Sequence, residues 1–280
     1  MEIKIVTDST ADLPPLLANE LGITVIPIYL RFGDKVYRDG VDIDADEFYH
    51  KLATSLVHPF TSSPSPGDFA KVYEEAAREA DEIVSIHITS KHSATYNTAL
   101  LGKEISEEKG CRIEVIDSLG VTMWQGLVTV AAAKAAQAGS SLHQVVERVR
   151  ETIRQLHVLA LLDTLMYIVK GGRIGRAVAA MESVLNVKPL LTLRNGEIRP
   201  AGLVRSRRKG IERLHEFMRS VLHIEDLAIV YSTTSDDAQA LADYVVSLFP
   251  NIVPRIVRLG PALGVHAGPG ALVVVAREAR

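Results

Sequence analysis

The sequence predicts an α/β protein. Its first half reads as a mainly parallel sheet flanked by helices, and its second half as a mixed-sheet α/β arrangement. Three observations carry this. Short β-branched runs alternate with longer segments of helical period, the pattern of βαβ units. The length of 280 residues corresponds to about two domains of ordinary size. Hydrophobic residues make up 47% of the chain but aromatic ones only 5%, so the apolar content is aliphatic, as strands buried on both faces require.

Taken in order, residues 3–7 form an apolar strand that ends in Asp-Ser-Thr-Ala-Asp, and a helix over 14–21 stops at Gly22. Residues 23–32 read as one β-branched strand, Gly33-Asp34 as a turn, and 36–42 as a hairpin return. Asp44 precedes Glu47 by three residues, the spacing of a capping box, and opens a helix over Phe48 and Leu52. Two prolines and a glycine within 61–68 predict irregular structure, followed by a helix over about 69–80. Next come a strand at 83–88, a helix from Ala94 to about Glu108, a strand at 112–116 and an Ala-rich helix at 123–138. Gly139 stops that helix, and Ser140 or Ser141 caps the next.

Beyond residue 158 the alternation loosens. The expectation is a strand at 158–162, a glycine-rich loop at 170–175 and a helix at 176–185. Strands at 188–193 and 198–204 flank Asn195-Gly196, a strong hairpin signal. Ser206 caps a helix running to about Val221, and then a strand at 227–231, a helix at 236–249 and a strand at 252–259 follow. Residues 260–270 read as a Gly/Pro loop, and 271–276 as a closing strand. The expected division is 1–160 for an N-terminal α/β domain and 161–280 for a C-terminal mixed α/β domain. No low-complexity linker separates them, which favours close packing with a cleft between.

Composition removes several classes of function. The net charge of -3, from 31 basic and 34 acidic residues, gives no drive toward nucleic acid. The one local basic cluster, Arg199, Arg205, Arg207, Arg208, Lys209 and Arg213, reads first as a solvated helix start. Cys111 is the sole cysteine, so neither an intrachain disulfide nor a multi-cysteine zinc site forms. The richest apolar stretch, 156–169, is interrupted by His157, Asp163 and Thr164 and does not reach the roughly 18 residues of a membrane span. No basic segment followed by an apolar one precedes the first strand, so a cytoplasmic location is expected.

Four polar junctions stand at strand ends or helix starts: Thr7-Asp8-Ser9-Thr10, Thr61-Ser62-Ser63, Thr89-Ser90 with Ser93, and His266 within 264–270. Ligands of parallel α/β sheets sit beyond the carboxyl ends of strands, and hydroxyls with free amides suit a carboxylate there. Helix capping explains most single Ser or Thr residues at such places. A Ser93–His266 nucleophile pair is a further reading, yet no G-x-S-x-G elbow follows a strand. His50, His58, His87 and His92 lack metal-ligand spacing. Gly171-Gly172-Arg173-Ile174-Gly175 offers amides beside a cation but is neither a P-loop nor a dinucleotide fingerprint, so no nucleotide cofactor is expected.

In order along the chain stand T-D-S-T-A-D-L-P at 7–14, T-S-S-P-S-P at 61–66 and S-K-H-S-A-T-Y-N-T-A at 90–99. V-I-D-S at 115–118, K-G-G-R-I-G at 170–175, L-N-V-K-P at 185–189 and G-P-A-L-G-V-H-A-G-P-G at 260–270 follow. With this ordered set the sequence resembles the DegV family of bacterial fatty-acid-binding proteins, across essentially its whole length. The resemblance implies two α/β domains enclosing a long-chain fatty acid between them. It implies a binding subunit without catalysis of its own, which presents the carboxylate to a separate ATP-binding kinase subunit for acyl phosphate formation. Transient contact with a membrane is compatible with that role.

The resemblance further implies a carboxylate near Thr61 and Ser93 with His266 in the same polar network, and Ser62 and the amide of Ala94 as further contacts. Where the family commonly has Gly after the serine, this chain has Ala94, which keeps the amide but is less at ease at positive φ. Arg173 and Arg205 match positions that face the head group or a kinase partner. Two alternatives accompany this reading: a serine-dependent hydrolase or acyl transferase using Ser93 and His266, and a regulatory lipid-binding protein with no kinase partner.

Overall fold

The computed structural model describes residues 2–107, 111–173 and 187–279. Its first sheet has four parallel strands in the order β2-β1-β6-β7, formed by Ile23–Ile26, Ile3–Asp8, Glu82–His87 and Arg112–Asp117. The order reverses between β1 and β6, so the crevice beyond their carboxyl ends is the natural ligand position of this half. A three-stranded antiparallel sheet, β4-β3-β5, sits beside it, built from Lys35–Arg38, Tyr29–Phe32 and Phe60–Ser62.

The second half forms a six-stranded mixed sheet in the order β10-β9-β8-β13-β11-β12. Its strands are Glu197–Val204, Lys188–Arg194, Leu156–Leu161, Leu272–Glu278, Ile224–Tyr231 and Arg255–Arg258. Only β11 and β12 pair in parallel; the other four pairings are antiparallel. The expected hairpin is present: Asn195 and Gly196 take φ of 51° and 80°, as a two-residue turn of this kind demands.

Helices α1 (Pro15–Glu20), α2 (Ala45–Thr54), α3 (Pro66–Ala76) and α4 (Thr95–Glu107) belong to the first half. Helix α5 (Met123–Gln137) buries ten residues running from Met123 to Ala133 on all its faces, as a helix apolar all round must. Helix α6 (Leu142–Gln155) turns its apolar stripe inward and starts with a full capping box between Ser141 and Gln144. The two helices share one core with both large sheets, in which Val84 and Ile86 join Val149, Val273 and Val275. Then follow α7 (Met166–Lys170), α8 (Arg207–Ser220), α9 (Ser235–Leu248) and α10 (Pro261–Ala267). Ser206 caps α8 through the Lys209 amide, as its position predicts. Among the described residues, no helix is long and apolar enough to cross a membrane.

Several sequence expectations need correction. The single strand expected over 23–32 breaks at Pro27, which has no N–H to donate, and β2 and β3 enter different sheets. Residues 61–68 are irregular only over 63–65: β5 covers Phe60–Ser62, and α3 begins at Pro66. Proline suits the first helical turn, and Ser65 and Asp68 cap each other there in a box. The Gly/Pro loop expected at 260–270 is largely helix α10, for the same reason: Pro261 opens it, and Gly268 at φ 72° closes it. Helix α7 was not expected. The helix expected at 176–185 lies outside the described residues.

Candidate functional site

A cavity lies between the parallel and the mixed sheet, with about 1100 Å³ of non-atom space counting its open mouth. Its walls are aliphatic, with Ile28, Ile88 and Val121 from one side and Val158, Leu191 and Val273 from the other. No Phe, Tyr or Trp lines it among the described residues. Thr61, Ser62, Ser63, His92, Ser93, Arg173 and His266 supply most of its polar lining.

Four segments bring these groups together. Strand β5 carries Thr61, opposite Leu30 of β3. The turn after β6 carries His92 and Ser93. Helix α10 carries His266, and the turn after α7 carries Arg173. His266 Nε2 lies 3.1 Å from Thr61 Oγ1. Ser93 Oγ lies 2.8 Å from Thr95 Oγ1 and accepts the Thr95 amide at 3.2 Å, while Thr95 Oγ1 donates to Ser63 Oγ at 3.2 Å. Ser93, Thr95 and Ser63 thus form a hydroxyl chain joining α4 to the segment after β5. Ala94 is exposed and does not line the cavity, and neither does the exposed Arg205, which stands in the turn before α8.

The electrostatics of this end are cationic. Arg173 donates to the carbonyls of Gly171 at 2.6 Å and His92 at 3.4 Å. Among the described residues no carboxylate pairs with it. Burial, then the positive charge of Arg173 and the neighbouring His58 and His92, pushes His266 down to about 3. His92 is also held low, by burial and Arg173 against the opposing pull of Glu197. His92 Nε2 accepts the Ile198 amide at 3.0 Å, so its ring proton sits on Nδ1. Among the described residues, no three His, Cys, Asp or Glu side chains gather to hold a metal.

The expected Ser93–His266 pair makes no hydrogen bond: Thr61 is the partner of His266, and Thr95 the partner of Ser93. A triad-like array does occur elsewhere. Ser85 Oγ lies 2.6 Å from His87 Nε2, and His87 Nδ1 lies 2.9 Å from Asp8 Oδ2. All three residues are fully buried and none lines the cavity, so no substrate reaches them. Burial drives the Asp8 carboxyl up, but His87, the Thr10 hydroxyl and the Ile88 amide outweigh it and hold the group below its usual value. The array is a structural pin between β1 and β6.

Of the basic cluster, Arg207 is internal, bonding Asp237 at 2.6 Å, Asp163 at 3.1 Å and the Gly270 carbonyl at 2.7 Å. Arg199, Arg208 and Arg213 pair with glutamates near them in sequence.

The model of the DegV family, described as "Uncharacterised protein, DegV family", matches residues 2–279. The chain belongs to the DegV family. A DegV domain-containing protein of Caldanaerobacter subterraneus subsp. tengcongensis is 34% identical, over 99% of each chain. A Thermus thermophilus DegV family structure described by its fatty acid binding superposes with a TM-score of 0.91 at 34% identity, covering 100% of both chains. Bacillus subtilis DegV, described as a fatty acid binding protein, gives 0.91 at 27% identity, over 99% of this chain and 100% of its own. A stearic-acid-binding protein of Eubacterium ventriosum gives 0.89 at 26% identity, over 99% and 98%. The α/β fold expected from the sequence is therefore the DegV fold, a parallel sheet joined to a mixed one.

The sequence assigns no site role to His58, His92, Thr95 or Gly171, while Ser63 belongs to the second polar junction it marks out. The spacing of Ser93 and Thr95, two apart before a helix, is the one local signal among them. The others meet the site only through tertiary packing.

Proposed function

We propose that this protein binds a long-chain fatty acid in the cavity between its two sheets, with a division of the chain near residue 160 marking the two flanking domains. The observation that carries this reading is an aliphatic cavity that ends at Arg173, a cation with no carboxylate partner among the described residues. Such a cation calls for an anion, and an aliphatic cavity for a chain attached to it. Each buried CH₂ contributes about 0.8 kcal/mol. A sixteen-carbon chain then supplies roughly 10 kcal/mol before ordering costs.

In this reading Thr61 and Ser62 donate hydroxyl hydrogens to the carboxylate, and Ser93, which otherwise donates to Thr95 Oγ1, turns its hydrogen to the ligand. The neutral His266 ring carries its proton on Nε2, because a proton on the unpartnered Nδ1 would be a buried orphan donor. Nε2–H then donates to Thr61 Oγ1 and leaves the Thr61 hydroxyl hydrogen free for the ligand. The protein works in the cytoplasm and performs no chemistry alone. It presents the carboxylate to a separate ATP-binding kinase subunit, which phosphorylates it to an acyl phosphate, with the exposed Arg205 on the partner-facing side.

The test has two stages. Mass spectrometry of purified protein, native and then denatured, should release an acyl chain; repeated isolation from lipid-rich cells without one would count against the reading. The loaded protein mixed with a cognate kinase subunit and ATP should yield acyl phosphate, and Arg205→Glu should reduce that yield while leaving acyl retention intact.

A further inference from the structure

His92 has two ring nitrogens and one settled partner. Nε2 accepts the Ile198 amide at 3.0 Å, so the neutral ring carries its hydrogen on Nδ1. Among the described residues no acceptor meets that N–H, and the atom is not sealed within the protein. His92 lines the cavity and precedes Ser93, and its own carbonyl accepts from Arg173 at 3.4 Å. A donor without an acceptor therefore stands at the same polar end as Thr61, Ser93 and His266.

Docking of the hairpin between β9 and β10 explains half of the ring. It requires an acceptor for the Ile198 amide, which Nε2 supplies, and Thr89 Oγ1 secures the tip separately by donating to the Gly196 carbonyl at 3.0 Å. Neither contact uses Nδ1. A half-buried donor left without an acceptor costs free energy, and a ligand atom in the cavity would relieve that cost. The surroundings specify the acceptor: beside the Arg173 guanidinium, which pairs with no carboxylate among the described residues, an anionic oxygen is favoured over a neutral one.

We infer that His92 Nδ1–H donates to the ligand's carboxylate while Nε2 ties the same ring to the β9–β10 hairpin of the mixed sheet. This rests on the fatty-acid reading above and adds to it a residue that reads the head group rather than the chain. The ring then bridges the ligand and the mixed sheet, and it selects a free acid over a neutral lipid of equal length. Selection of this kind comes from a donor whose bond strengthens when the acceptor is charged.

Dissociation constants would be measured for palmitic acid and 1-hexadecanol, which share a chain length and differ in head group. Native protein, His92→Leu and His92→Asn would be compared. Leucine removes both ring nitrogens at similar volume. Asparagine keeps an N–H donor near the Nδ1 position but is too short to accept the Ile198 amide. The preference for acid over alcohol should fall about fivefold in His92→Leu, the margin between a hydrogen bond to a charged acceptor and one to a neutral acceptor, and should survive in His92→Asn. An unchanged preference in His92→Leu, or an equal fall in both variants, would overturn the inference, the ring then serving the hairpin alone. If the leucine variant does not fold, the Nδ1–H proton resonance of His92 in native protein decides. It should move further downfield with palmitic acid than with 1-hexadecanol, and equal shifts overturn the inference. Failure of native protein to bind either ligand would instead refute the fatty-acid reading itself.

Discussion

Gly171 lies under the His266 ring, and Gly171→Ala tests whether that contact holds the polar end of the cavity together. A Cβ added at Gly171 would fall on Nδ1 and Cε1 of His266, far inside the 3.0 Å that real Cβ atoms keep from their neighbours. The backbone offers no escape through strain, because Gly171 is in the ordinary helical region at φ -76° and ψ -5°. The ring must therefore retreat. A retreat of about 0.5 Å takes the 3.1 Å contact with Thr61 beyond hydrogen-bonding reach. One hydrogen bond is worth about 0.5–1.5 kcal/mol, so fatty acid affinity should fall up to roughly tenfold. Overpacking should also cost about 1–3 kcal/mol of stability. Titration with palmitic acid and urea denaturation measure the two effects. The decisive comparison places Gly171→Ala in a His266→Ala background, where the ring is gone and the added methyl has room. An equal loss of affinity in both backgrounds would refute the reasoning, because Gly171 would then not act through His266.

Other expectations follow from the same geometry. Thr61→Val and Ser93→Ala should each weaken fatty acid binding by about 1–3 kcal/mol, the cost of leaving a buried carboxylate oxygen short of a partner; unchanged retention of acyl chain in both removes them from the site. Asp39 is raised to about 7 by burial, against the opposing bonds from Ser9 and the Ala262 amide. A carboxyl with its folded value above its unfolded one binds more protons when folded, so its stabilisation is complete below the unfolded value of 3.8 and is lost as pH rises to about 7. Asp39→Asn should therefore gain in melting temperature relative to native protein between pH 5 and pH 8; a constant difference would argue against the raised value. Removing His87 from its buried pairing with Asp8, as His87→Leu, should cost about 3–5 kcal/mol in urea denaturation. No hydrolytic activity should be lost with it, since no substrate reaches Ser85.

How much of this was legible beforehand depends on the range over which each feature is decided. The hairpin at Asn195-Gly196, the caps at Ser141 and Ser206 and the aliphatic strands of the parallel sheet are decided within a few residues, and local chemistry reveals them. Helix α10 replaces the expected loop because Gly260 serves as its N-cap and Pro261 stands in its first turn, where proline is at home. The split at Pro27 falls inside one apolar run, with Ile26 and Ile28 on either side of the proline, and it shows only in the different sheets that β2 and β3 join. At the site, Thr61, Ser62, Ser93 and His266 were named from their motifs, and the fold gathers them round one cavity. That Thr61 meets His266 across 205 positions is a tertiary fact with no local signature. The same holds for Gly171 beneath the ring and for the absence, among the described residues, of a carboxylate paired with Arg173. Arg205, named beside Arg173, stands outside the cavity because the turn before α8 carries it to the surface.

The β9–β10 hairpin has a practical consequence. Tips of two-residue hairpins are ordinarily the permissive places to splice in a tag, a reporter or a new terminus. This tip is docked instead. The Gly196 carbonyl accepts from Thr89 Oγ1 at 3.0 Å, and the Ile198 amide donates to His92 at 3.0 Å. Any Cβ at Gly196 would run into Thr89. An insertion there would wedge the mixed sheet away from the turn that carries Ser93, so label placement should avoid it. The solvent-facing turn at Gly33-Asp34, where an added Cβ meets nothing, is the better graft point.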